Sequence, residues 1–147
     1  MVTFESLKLV EIETITKLMQ EFYAIDNYPF DIEVSKKLFA EFIAYENLGK
    51  AYLIYIDETI VGYFILTFVF SFEYKGRLAF LDELYICEKV RRQGIGKQTI
   101  AFIKSLANEL SIKMMYLEVE NHNIIAQNLY LKNDFDFHNR KIMNWKP

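Results

Sequence analysis

Apolar residues recur along this chain at two periods, and the switch between them maps its elements. VTFESLKL at the start reads as a short strand. From Glu11 onward Ile12, Ile15, Leu18, Phe22 and Ile25 fall at helical spacing. The DNYPFD stretch (Asp26 to Asp31) breaks that helix, because Pro29 biases Tyr28 away from helical angles. A second helix is predicted from Ile32 to Tyr45, stopping near Gly49. The period then shortens. AYLIYI (Ala51 to Ile56) and TIVGYFILTFVF (Thr59 to Phe70) read as two strands joined at Asp57-Glu58, and RLAFLDELYI (Arg77 to Ile86) follows a turn at Lys75-Gly76.

The second half alternates strand and helix. Ile100, Ile103, Leu106 and Leu110 share a helical face. In the strand predicted from Met114 to Glu120, Met115, Leu117 and Val119 oppose Tyr116, Glu118 and Glu120. A short helix is expected after Asn123, and Phe135 to Trp145 is expected to add one or two short strands. This order predicts an α+β (mixed α/β) fold around one central sheet, with a parallel, right-handed strand–helix–strand unit late in the chain. No repeat or linker interrupts it, so residues 1–147 read as one domain.

Composition narrows the function. Of 147 residues, 52% are hydrophobic and 16% aromatic, too many for a disordered chain. A formal charge of -3 argues against nucleic acid as a partner. The apolar run from Ile60 to Phe70 is too short to span a bilayer, and the N-terminal stretch has acids where a secretion signal needs cations. With one cysteine, Cys87, no intrachain disulfide can form. A soluble, cytoplasmic protein is the expectation. His122 and His138 have no metal-ligand spacing to each other or to Cys87, so no metal is expected.

The stretch KVRRQGIGKQ (Lys89 to Gln98) lies between a strand and a helix. It is not a P-loop, because Arg91 stands where the first glycine belongs and Gln98 follows Lys97. It is not a dinucleotide fingerprint either, since the third glycine would fall on Thr99. What remains is R-x-x-G-x-G. Free amides in a helix's first turn favour an anion, Gly94 and Gly96 keep side chains away from it, and Arg91, Arg92 and Lys97 add charge.

With its surroundings, this stretch resembles the GNAT superfamily of N-acetyltransferases over most of the chain's length. The family pattern is an apolar strand (Phe80 to Ile86), the glycine turn (Arg91 to Gly96), and a later block, here Asn123, Ala126, Leu129, Tyr130, Lys132 and Phe135. Asp134 replaces the usual glycine of that block, and Asp tolerates left-handed angles better than most residues. The resemblance implies a mostly antiparallel sheet with helices on both faces, and acetyl-CoA as co-substrate. It implies that the backbone of Leu84, Tyr85 and Ile86 pairs with the pantetheine arm. The pyrophosphate then falls to the amides of Arg91, Arg92, Gln93, Gly94, Ile95, Gly96 and Lys97, and Asn123 contacts the pantetheine region while suiting a helix cap. A homodimer is expected on the same ground.

Acetyl transfer to an amine needs the amine neutral. Deprotonating a lysine-like amine near neutral pH costs about three pK units, roughly 4 kcal/mol. Asp82, Glu83 and Glu118 are the candidate bases, with Asp82 and Glu83 expected on opposite strand faces. The adjacent acid pair matches polyamine-type members, and Glu118 matches some peptide N-terminal acetyltransferases. Tyr130 occupies the position that donates to, or hydrogen-bonds, the departing thiolate. Direct transfer is expected rather than an acetyl-Cys87 route. The acceptor (a small amine, polyamine, amino sugar or peptide amine) is expected over the DNYPFD loop, where Asp26, Tyr28, Phe30 and Asp31 suit a cationic group. A non-catalytic CoA-binding regulatory module is the alternative reading, and an ATP-type phosphate binder a further one.

Overall fold

A computed structural model describes residues 1–147. The elements are β1 (Val2–Ser6), α1 (Ile12–Ile25), α2 (Ile32–Ala44), β2 (Gly49–Ile56), β3 (Thr59–Ser71), β4 (Gly76–Ile86), α3 (Ile95–Glu109), β5 (Met115–Leu117) and α4 (Ile124–Leu131). The five strands lie in sequence order in one sheet. Neighbours through β4 are antiparallel, and β5 joins β4 parallel. The fold is the α+β domain that the residue pattern predicts, and its boundaries lie within a few residues of the expected ones.

Alternation along the strands, reset at register slips in β3 and β4, builds two cores from one sheet. On one face Leu53, Tyr63, Ile65 and Tyr85 pack against Ile15, Leu18 and Met19 of α1 and Phe39 of α2. On the other, Ile54, Phe64, Leu66 and Leu81 pack against Ile95, Ile103 and Leu106 of α3. Adjacent residues Tyr63 and Phe64 are thus both fully buried, one in each core. Burying one such side chain stabilises the fold by about 1.5–3 kcal/mol, which makes β3 the central strand energetically as well as spatially. Phe102 of α3 stacks on Phe4 of β1 with centroids 4.4 Å apart, tying that helix to the far end of the sheet.

Two expectations need correction. The strand predicted from Met114 to Glu120 forms sheet only from Met115 to Leu117, because its partner β4 swerves away beyond Leu81. The C-terminal segment from Phe135 to Trp145 adds no strand. A three-residue β5 offers little edge to pair with, and Asp136, Asn139, Arg140 and Lys141 interrupt any apolar alternation. Instead the segment is pinned by side chains: Arg140 makes a two-pronged ion pair with Glu73 at 2.8 and 3.0 Å, and His138 meets the Tyr116 ring edge-on. Asp134 does adopt the left-handed conformation anticipated for it, with φ 69, and its carboxylate accepts from Lys104 at 2.8 Å.

Asp31 serves the fold directly. Its carboxylate caps α2, accepting from the amides of Glu33 and Val34, both at 3.0 Å. Asp31→Ala is expected to lower stability by about 1 kcal/mol, read as a fall in thermal midpoint. An unchanged midpoint would show that the cap contributes nothing.

Candidate active site

The site begins where β4 and β5 part. Their last paired residues are Leu81 and Leu117. On β4's other side the register with β3 slips at the same place, since Ile65 faces Glu83 while Leu66 faces Leu81. Asp82 is the extra residue of a β-bulge, and a bulge bends its strand. Beyond it Glu83 to Ile86 stay on β3 but leave β5. The Cys87 N–H donates to Val61 O at 2.8 Å, so odd-numbered residues here turn their backbone groups toward β3. The backbone groups of Leu84 and Ile86 therefore face the open side of the fork.

The glycine turn lies at the end of this edge. Arg92 (φ 64) and Gly94 (φ 77) are both left-handed, and Gly94 is the N-cap of α3. The first amide of this helix to find a backbone acceptor is that of Gln98, which donates to Gly94 O at 3.1 Å; those of Ile95, Gly96 and Lys97 stay free. A side chain on Gly94 would project into open space, with no atom within 4 Å. Gly96 has a different reason to be glycine. A Cβ there would come within 3.0 Å of Leu129, so it brings the tip of α3 close to α4. Arg91 folds back rather than outward, its Nε donating to Ile86 O at 2.9 Å and its guanidinium lying over the Tyr85 ring. Arg92, Gln93 and Lys97 are exposed around the free amides.

All three candidate carboxylates gather at the fork. The expectation that Asp82 and Glu83 point to opposite faces is overturned by the bulge, which resets the alternation between them; both line one cavity. Glu83 is held there by two tyrosines. Tyr63 Oη donates to one carboxylate oxygen at 2.7 Å and Tyr23 Oη to the other at 2.8 Å. Burial pushes the Glu83 carboxyl above its ordinary range, the two hydrogen bonds pull it back in part, and the charge on Asp82 adds to the rise. Asp82 lies at the cavity's rim, and its carboxyl too is raised, first by the atoms crowding it and then by the charge of Glu118 across the fork. Neither tyrosine stood out in the sequence: Tyr63 reads as an ordinary inward strand residue and Tyr23 as a helix aromatic. Only the tertiary fold brings both to Glu83.

That cavity, about 230 Å³, runs between α1, α2 and the sheet. The residues of the α1–α2 loop are otherwise engaged. Asp26 pairs with His122 at 3.0 Å and Tyr28 donates to Glu120, so two contacts join this loop to the one after β5. Phe30 packs edge-on against Tyr23 at 5.4 Å, and Asp31 is the α2 cap. These four residues shape the mouth of the site, and none of them lines the cavity.

Tyr130, on α4, packs with the α3-side core and stacks edge-on with Phe135 at 5.6 Å. Burial pushes its hydroxyl up to about 12. Asn123 caps α4, accepting from the Ala126 amide at 3.1 Å. The Cys87 thiol is raised by burial and by the charge of Glu21, which leaves it a poor nucleophile. No group of three or more His, Cys, Asp or Glu side chains is arranged to hold a metal ion. A larger cleft of about 790 Å³ lies along the outer edge of β5, bordered by Tyr130 and the C-terminal segment, but neither Leu84–Ile86 nor the glycine turn reaches it.

These features have relatives. The profile of the acetyltransferase (GNAT) family matches residues 13–135. The chain is 28% identical over 123 residues to the D-amino-acid N-acetyltransferase HPA3 of Saccharomyces cerevisiae, covering 82% of this chain and 76% of that one. Among solved structures, a possible acetyltransferase from Clostridium difficile superposes with TM-score 0.89 at 20% identity, over 99% of this chain and 97% of the other. A predicted acetyltransferase from Clostridium acetobutylicum, solved with acetyl-CoA, does so with TM-score 0.82 at 14% identity, over 98% and 96%. The splayed strands and the glycine-led helix thus accompany a family match over most of the sequence: this chain belongs to the GNAT family of acetyltransferases.

Proposed function

We propose that the chain moves an acetyl group from acetyl-CoA directly to a small primary amine. The observation that carries this reading is the meeting, at one fork in the sheet, of an open strand edge, three free helix-tip amides and a half-buried carboxylate. The first two fit acetyl-CoA. The backbone groups of Leu84 and the N–H of Ile86, whose carbonyl accepts from Arg91, can pair with the pantetheine amides as a further strand would, and the amides of Ile95, Gly96 and Lys97 can hold the diphosphate, helped by the α3 dipole and by Arg92 and Lys97. Open space at Gly94 leaves room for it. When bound, acetyl-CoA supplies a thioester whose carbonyl carbon forms a C–N bond to the amine as its C–S bond breaks; CoA leaves as the thiolate, which takes up the second proton that the nitrogen sheds on becoming an amide.

The protein's part is proton handling and placement. Glu83 acts as the general base, taking the ammonium proton directly or through water. Desolvation raises its pKa toward the working pH, where a base is most effective, and the Tyr23 and Tyr63 hydroxyls fix its orientation. A carboxylate has about four acceptor sites, so two remain for the amine after the tyrosines. Asp82 at the rim attracts the incoming cation, and Glu118 across the fork adds negative potential. Tyr130 steadies the departing sulfur by hydrogen bonding. With its hydroxyl near 12 and a thiol near 8.5, outright donation would be uphill by roughly 5 kcal/mol, so the phenol keeps its proton.

Glu83→Gln is expected to lower kcat by about a hundredfold with little change in acetyl-CoA affinity, whereas Asp82→Asn acts mainly on the amine KM. Equal kcat losses in both variants would remove Glu83 from its special role. Because the base must be ionised and its pKa is raised, kcat is expected to fall with acid at a pH above the ordinary 4.5 of a glutamate. Tyr63→Phe removes a hydrogen bond that lowers that pKa, so the limb should move further up; a limb that stays put would assign it to another group. Gly94→Ala is expected to weaken acetyl-CoA binding, measured by calorimetry, about tenfold or more while lowering stability by roughly 1 kcal/mol for a non-glycine at φ 77. Unchanged affinity would contradict the assigned diphosphate seat.

A further inference from the structure

Resting on that reading, we infer that the acceptor is a monoamine with an apolar substituent, and that the cavity beneath α2 is the seat of that substituent. Apart from the carboxylates of Asp82 and Glu83, the walls are Met19, Leu38, Phe39, Phe42 and Ile65, with the Tyr23 ring and the hydroxyls of Ser35 and Thr67. All of its charge therefore sits at one end, where Glu83 is fixed by Tyr23 and Tyr63. An amine entering with its nitrogen at the acids points its tail along the apolar walls. The volume, about 230 Å³, suits an aromatic ring on a short tether or a branched alkyl chain, given that an apolar cavity of about 150 Å³ takes a benzene.

The same walls disfavour the other acceptors a GNAT enzyme could use. A diamine would lay its second ammonium against Phe39, Phe42 and Ile65, near the exposed Leu38, where water but no lining carboxylate is available to meet it. An amino acid would bring a carboxylate beside Asp82 and Glu83, with no Lys, Arg or His lining the cavity to meet it. An amino sugar carries hydroxyls that two protein hydroxyls could not satisfy. Ser35 is the position that sets this preference. It lies on α2 among the apolar walls, half-buried. A carboxylate placed there would provide the missing second anion.

The test compares phenethylamine, 1,5-diaminopentane, phenylalanine and an aminoglycoside as acceptors, following CoA thiol release with the wild-type chain and with Ser35→Asp. In the wild type, kcat/KM is expected to be at least about tenfold higher for phenethylamine than for the other three. Ser35→Asp is expected to raise the diamine-to-monoamine ratio by about tenfold while leaving acetyl-CoA affinity unchanged. A diamine, amino acid or aminoglycoside used as well as phenethylamine would overturn the acceptor class and leave the acetyltransferase reading standing. So would a ratio that Ser35→Asp fails to move. Turnover of no amine by a chain that binds acetyl-CoA would overturn both.

Discussion

One extra residue in β4 sets the geometry of the whole site. Ladder hydrogen bonds hold β4 to β3 along its full length, but at Asp82 the strand must absorb a residue that β3 does not match. The bend this imposes ends pairing with β5 after Leu81 and Leu117. Three consequences follow from that single slip. An open edge of backbone appears inside the sheet at Leu84 and at the N–H of Ile86, whose carbonyl accepts from Arg91 Nε. The next residues on each strand, Asp82 and Glu118, are left facing each other across a gap. And Glu83, which regular alternation would have sent toward α3, turns toward α1 and α2 to meet Tyr23 and Tyr63. An unpaired strand edge in a sheet's interior is costly unless something can pair with it, and here the opening leads straight to the free amides of α3.

The two sheet faces divide the labour. The α3 face presents the helix tip, with Gly94 open to the outside and Gly96 pressed on Leu129, so the same two glycines keep one surface clear and hold the other together. The α1–α2 face supplies the aromatic cluster around Glu83 and the apolar cavity beside it. Aromatic packing there is dense: Phe22 stacks on Tyr85 at 5.4 Å and meets Tyr63 at 6.4 Å. That density fixes the tyrosines whose hydroxyls orient the carboxylate. Contacts between Asp26 and His122, and between Tyr28 and Glu120, join the two faces at the mouth.

Much of this was legible in the residues. Helical spacing placed α1 at its observed start, Asn123 was recognisable as a cap, and R-x-x-G-x-G marked a helix tip with free amides. What the pattern hid was the bulge. Periodicity assumes that every residue advances the alternation, so Asp82 and Glu83 read as opposite-facing when in fact both border one cavity. The partners of Glu83 were equally hidden, because a tyrosine on β3 and another on α1 carry no local mark of a shared contact twenty and sixty residues away, respectively. Asp31, a candidate for meeting a cation, also caps α2, a role that its place just before Ile32 makes local. Beyond Phe135 apolar residues suggested strands, but with β5 so short the segment found side-chain anchors instead.

The central claim is that backbone amides at the fork and at the α3 tip hold acetyl-CoA. Titrating the isotope-labelled chain with CoA and following its amide resonances tests this residue by residue. The largest shifts should fall on Leu84, Ile86 and Ile95 to Lys97, with little change along the outer edge of β5. Shifts concentrated instead around Met115, Tyr116 and the C-terminal segment would put the ligand in the larger cleft and contradict the account.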